Sequence, residues 1–94
     1  MSIRRSSVSE KFLVDEIQGL IKPSNLVMLN DNENSFDSVI VALIDVCDHT
    51  REQAEQCSVI THYKGKCLVK RGTYGELKAM QDALGDRGIG ASIE

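Results

Sequence analysis

The stretch Phe36–Cys47, FDSVIVALIDVC, constrains this chain more than any other feature. Phe36, Val39, Ile40, Leu43, Ile44, Val46 and Cys47 recur at helical spacing, and Val41 and Ala42 fill the gaps. A helix apolar around most of its circumference must be largely buried. Asn34 or Ser35 can cap its start, and Asp37 sits favourably in its first turn. A chain of 94 residues holds material for one core, so the other segments must cover this helix.

Those segments are short and clearly punctuated. Residues 25–29 (NLVML) read as a strand, stopped by the polar corner Asn30-Asp31-Asn32-Glu33-Asn34. After the apolar helix, Asp48-His49 requires a sharp turn. Thr50-Arg51-Glu52-Gln53 is a capping-box pattern that predicts a second helix from Thr50 to about Tyr63, with Gly65 as its left-handed stop. Residues 66–71 (KCLVKR) read as a second strand. Thr73-Tyr74-Gly75-Glu76 is another capping box and opens a third helix with Leu77, Met80, Ala83 and Leu84 on one face, ended by Gly85 or Gly88. Ile89, Ala91 and Ile93 then alternate with Gly90 and Ser92, the pattern of a half-buried strand. Three short strands cannot bury themselves, so the helices must cover one sheet face. The expected fold is α+β, a three-stranded antiparallel sheet covered by three helices in the order β-α-α-β-α-β.

Ahead of this domain, residues 9–22 (SEKFLVDEIQGLIK) are mildly amphipathic, with Phe12, Leu13, Ile17, Leu20 and Ile21 near one face. Gly19 and Pro23 end that pattern. The expectation is a flexible or partly helical extension over 1–22 and a domain over 23–94.

Charge and composition exclude several functions. With 14 acidic against 11 basic residues the net charge is −3, unlike a protein that holds nucleic acid through a dense cationic face. Four aromatic residues and no Trp leave little for a base-stacking platform. Lys66, Lys70 and Arg71 read as a solvated strand edge. No apolar run spans a bilayer and no signal-peptide core follows Arg4 and Arg5, so neither a nucleic acid nor a membrane is expected as partner, and the cytosol is the expected compartment. Cys47, Cys57 and Cys67 form no CxxC pair and read as reduced thiols. With His49 or His62 they lack the paired spacing of a zinc site, so neither metal nor cofactor is expected. The polar corner lacks the alternating ligands and central Gly of a calcium loop. No nucleophile motif accompanies His62, so no catalytic residues are assigned.

Two motifs at fixed separation point further. Leu29-Asn30-Asp31 follows a strand, and His62-Tyr63-Lys64-Gly65-Lys66 closes the second helix. Together they resemble the ClpS family, whose members carry an L-N-D-D-like corner and an H-Y-x-G-K-like segment at matching separation. Ala54 and Glu55 also fall where the family's second helix has similar residues. The resemblance covers about residues 22–94. It implies a non-enzymatic adaptor that binds the free N-terminal residue of substrate proteins, large hydrophobic ones above all. It delivers them to a Clp AAA+ unfoldase of ClpA or ClpC type, and the expected state is a monomer.

The resemblance also implies a site. An α-ammonium has three N–H donors and needs acceptors. Asn30 offers a carbonyl oxygen, neutral His62 a ring nitrogen, and Asp31 a negative charge. The implied substrate pocket comprises Asn30, Asp31, Asn32, Asn34, Phe36, Val39, Ser58, Thr61 and His62. Tyr63, Lys64, Glu76 and Lys78 are the implied partner-facing residues. Four departures from the family pattern stand out. Asn32 replaces a second acid, Phe36 replaces a rim Met, Thr61 replaces an aliphatic, and Ser58 stands where a Met commonly excludes β-branched first residues. Ser58 and Thr61 imply a wider, more polar pocket with altered first-residue preference. The third helix is also shorter than is typical of the family.

The residues alone leave other roles open. Asn30 and Asp31 can serve only to cap the turn and helix, and His62 only to cap a helix C-terminus. Phe36 can belong to the core, and Ser58 can face solvent. The alternative function is an interaction module of the same fold with an altered or inactive amine pocket.

Overall fold

A computed structural model of the chain describes Ile17, residues 23–30 and residues 33–94. The domain expected over 23–94 runs β1 (Ser24–Leu29), α1 (Phe36–Cys47), α2 (Arg51–Lys64), β2 (Lys66–Gly72), α3 (Tyr74–Asp86) and β3 (Ala91–Ile93). This is the expected α+β order. The extension over 1–22 lies outside the described residues except for Ile17.

The sheet order is β2-β1-β3, with β1 central and antiparallel to both neighbours. Leu26 pairs with Lys70 while Val27 pairs with Leu68, so Val69 is an extra residue on β2. Leu26 and Met28 join the core cluster with Ile40, Leu43, Cys47, Ala54, Leu77 and Leu84. Val27, between them in the strand, points to the opposite face.

The helices follow their local chemistry. Ser35, not Asn34, caps α1, its hydroxyl accepting from the Ser38 N–H at 3.1 Å. Ile40, Ala42, Leu43 and Cys47 are buried, Val39, Ile44 and Val46 are half-buried, and Phe36 and Val41 face out. The sharp turn after α1 is made by Asp48, left-handed at φ 59°, whose N–H reaches the Leu43 carbonyl. Lys70 Nζ donates to the Cys47 carbonyl at 3.4 Å and brings a cation to the negative end of α1. Both capping boxes form, Thr50 with Gln53 and Thr73 with Glu76.

Of the two glycines expected to end α3, the structure uses the second. Gly85 stays inside the helix, and Gly88, at φ +78°, makes the left-handed stop. The Ile89 N–H reaches the Leu84 carbonyl and the Gly88 N–H the Gly85 carbonyl, each at 2.9 Å. This is a Schellman turn, in which the residue after the glycine packs back on the helix. Ile89 is accordingly buried rather than part of β3.

Candidate functional site

One cavity of about 280 Å³ opens where the end of β1, the start of α1 and the end of α2 meet. Met28, Ile89, Ser58 and Thr61, all buried, form its depth. Val39 and Asn34 form its sides, and Leu29, Asn30, Phe36 and His62 stand at the exposed rim. The cavity thus gathers seven expected pocket residues, Asn30, Asn34, Phe36, Val39, Ser58, Thr61 and His62. Asp31 and Asn32 lie outside the described residues.

Backbone bonds fix the rim. The Asn30 N–H donates to the Gly65 carbonyl at 2.8 Å, which ties the polar corner to the turn that follows His62. The Leu29 N–H donates to the Gly90 carbonyl at 2.9 Å. Gly65 makes this approach possible by its left-handed turn at φ +89°. Asn34 Nδ2 donates to the Gly88 carbonyl at 2.9 Å and braces the corner against the turn after α3. The rings of His62 and Tyr63 meet edge to face, with centroids 5.1 Å apart.

Ser58 does not face solvent. Its hydroxyl and that of Thr61 point into the helix's own backbone. Ser58 Oγ donates to the Ala54 carbonyl and Thr61 Oγ1 to the Cys57 carbonyl, each at 2.8 Å. A hydroxyl whose proton is spent on the preceding turn offers a ligand only its lone pairs. The lining is therefore less polar than the residue types suggest, and the small Ser58 chiefly contributes space. Phe36, 46% exposed, belongs to the rim rather than the core.

The family model for ClpS, ATP-dependent Clp protease adaptor protein, matches residues 22–88. This chain belongs to the ClpS family. Among solved structures it is similar to that of Agrobacterium tumefaciens ClpS2 bound to L-phenylalaninamide, at 18% identity, over 78% of this chain and 95% of that chain, with a TM-score of 0.71. At that identity the likeness concerns the fold. A comparison with curated proteins gives no match.

The expected partner-facing residues of this ClpS chain come from two helix ends. Tyr63 and Lys64 are exposed at the end of α2, while Glu76 and Lys78 are exposed at the start of α3. The seven residues of β2 separate them, a span of roughly 20 Å. Glu76 Oε1 accepts from the Thr73 N–H at 3.1 Å and from Thr73 Oγ1 at 2.9 Å. These bonds, the backbone one foremost, hold its carboxyl below the ordinary glutamate value. Lys78 pairs with Asp82 at 3.3 Å. Both charges are thus engaged within their own helix.

Sequence reasoning missed Met28, Leu29 and Ile89 as lining residues, and read Asn34 only as pocket or cap. Met28 and Leu29 lie on the strand that precedes the corner, a signal that could have found them. Ile89 enters only through the turn at Gly88. No group of three or more His, Cys, Asp and Glu side chains among the described residues is placed to hold a metal. No helix among them is long and apolar enough to cross a membrane.

Proposed function

We propose that this chain is a cytosolic, monomeric adaptor that captures proteins by a free N-terminal residue and presents them to a Clp AAA+ unfoldase of ClpA or ClpC type. The observation that carries this reading is one cavity with an apolar floor, Met28 and Ile89, and polar groups of Asn30 and His62 at its rim. A free α-amino group is mostly an ammonium at neutral pH. Asn30 Oδ1 and a neutral His62 nitrogen serve as its acceptors, and Asp31 supplies charge where Asn32 does not. Each charge-assisted bond contributes about 1.5–3 kcal/mol, and burial of a Phe or Leu side chain about 1.5–3 kcal/mol. The protein breaks no bond. It presents the bound segment, with the extension over 1–22 and the exposed Tyr63, Lys64, Glu76 and Lys78 serving delivery.

The test is fluorescence anisotropy with a labelled peptide beginning with Phe, beside the same peptide acetylated at its amine. Binding that acetylation weakens by about tenfold or more, the loss of one charged hydrogen bond, supports the reading. Equal binding of the two peptides rules out recognition of the amine. Failure of both favours an interaction module of the same fold with an inactive pocket.

A further inference from the structure

The adaptor reading uses none of the three cysteines, which are free thiols. Cys47 is closed inside the core, and burial pushes its pKa up to about 11. Cys57 and Cys67 differ from it. Each is half-buried, and they come from two elements packed on one another, α2 and β2. Both thiols donate to the same acceptor, the Leu68 carbonyl, Cys57 Sγ at 3.7 Å and Cys67 Sγ at 3.5 Å. The shared oxygen holds the sulfurs side by side. Burial, and after it the adjacent Cys67 thiol, push the pKa of Cys57 up to about 12. Cys57 also adjoins residues that line the cavity. Cys57 precedes Ser58 in the chain, and its carbonyl is the acceptor for Thr61 Oγ1.

We infer that Cys57 and Cys67 form a reversible thiol–disulfide site of the native fold. Low-molecular-weight disulfides oxidise it, and the bond pins the middle of α2 to β2. The Cys67 thiolate attacks one sulfur of the reagent and releases a first small thiolate, leaving a mixed disulfide on Cys67. Cys57 then gives its proton to solvent and attacks Cys67 Sγ, releasing the second small thiolate. Both leaving groups take up protons. The protein's two thiols lose two electrons, and the reagent is reduced to two thiols. Because Cys57 holds its proton strongly, the second step is slow, and its rate rises about tenfold per pH unit below the pKa of that thiol.

The experiment equilibrates the folded full chain with mixtures of oxidised and reduced glutathione, quenches with acid and counts thiols by alkylation and intact mass. The expected result is a fall from three thiols to one, a loss of two hydrogens without an adduct, and a tryptic cross-link between the Cys57 and Cys67 peptides. The melting temperature rises, because a native cross-link restricts the unfolded chain. Cys47→Ser gives the same product, whereas Cys57→Ser and Cys67→Ser yield no internal disulfide. The inference is overturned if glutathione remains on Cys67 with Cys57 free, if Cys47 enters the bond, or if oxidation lowers the melting temperature. No peptide ligand is present, so failure here is separate from failure of the adaptor reading.

Discussion

Replacing Ser58 by Met should close the cavity to β-branched first residues while sparing unbranched ones. Ser58 lies four residues before His62 on α2, about one turn and ~6 Å along the axis. If His62 accepts from the substrate amine, Ser58 flanks the first side chain near its Cβ and Cγ, where Val and Ile carry their extra methyl. Ser58 is 5% exposed and lines a cavity of about 280 Å³. Met adds a net two heavy atoms, each filling about the ~30 Å³ share of a liquid water, so on the order of 60 Å³ is lost. A misfit of one methyl group costs about 1–3 kcal/mol, or about 10–200-fold in affinity. Peptides that differ only in beginning with Ile, Val, Leu or Phe, titrated by anisotropy against both proteins, read this as a ratio. The ratio of Ile to Phe affinity should fall at least about tenfold in Ser58→Met. Ser58→Ala is the control. Its lost hydroxyl was bonded to the Ala54 carbonyl, so Phe-peptide affinity should stay within about twofold. An unchanged Ile-to-Phe ratio in Ser58→Met would show that this position does not limit the first side chain.

Three further outcomes are expected. The Glu76 carboxyl has a lowered folded pKa, so its contribution to stability is full above the ordinary value of 4.5 and is lost as the pH falls through the folded one. Glu76→Gln keeps a capping acceptor without the charge, so its melting temperature should lie below that of the parent at neutral pH and meet it in acid. A gap that persists in acid would assign the effect to something other than the charge. Leu43→Ala, at a fully buried position, should lower unfolding free energy by about 2–5 kcal/mol in urea titrations. Deletion of residues 1–22 should leave peptide affinity unchanged yet reduce degradation of a reporter by the unfoldase–protease, and equal degradation would refute a delivery role.

The elements with local determinants were legible in the sequence. Thr50 with Gln53, Thr73 with Glu76 and the stop at Gly65 are decided within a turn of chain, and each stands where the residues put it. The apolar run from Phe36 had to be a buried helix whatever its neighbours. Sheet order was not legible, since β1 lies centrally only because both β2 and β3 return to it. The two-for-one pairing at Val69 and the brace from Asn34 to Gly88 join distant residues and leave no periodic trace. In the site, paired motifs located Asn30 and His62, whereas Ile89 depended on which glycine stopped α3. Residue type overstated the polarity of Ser58 and Thr61, because a hydroxyl's partner is set by the helix that carries it.

The cavity has no local origin. Met28, Val39, Ser58 and Ile89 reach it from four separate stretches of chain, so no single hairpin or helix pair contains it. Such a site comes into being only with the complete fold, after the loop-closing entropy of all these contacts has been overcome. A ligand held there favours the folded population in proportion to its free concentration over its dissociation constant. Occupancy therefore reports on the fold itself: a half-assembled copy has no cavity to fill, and only a finished one can be held by what it binds.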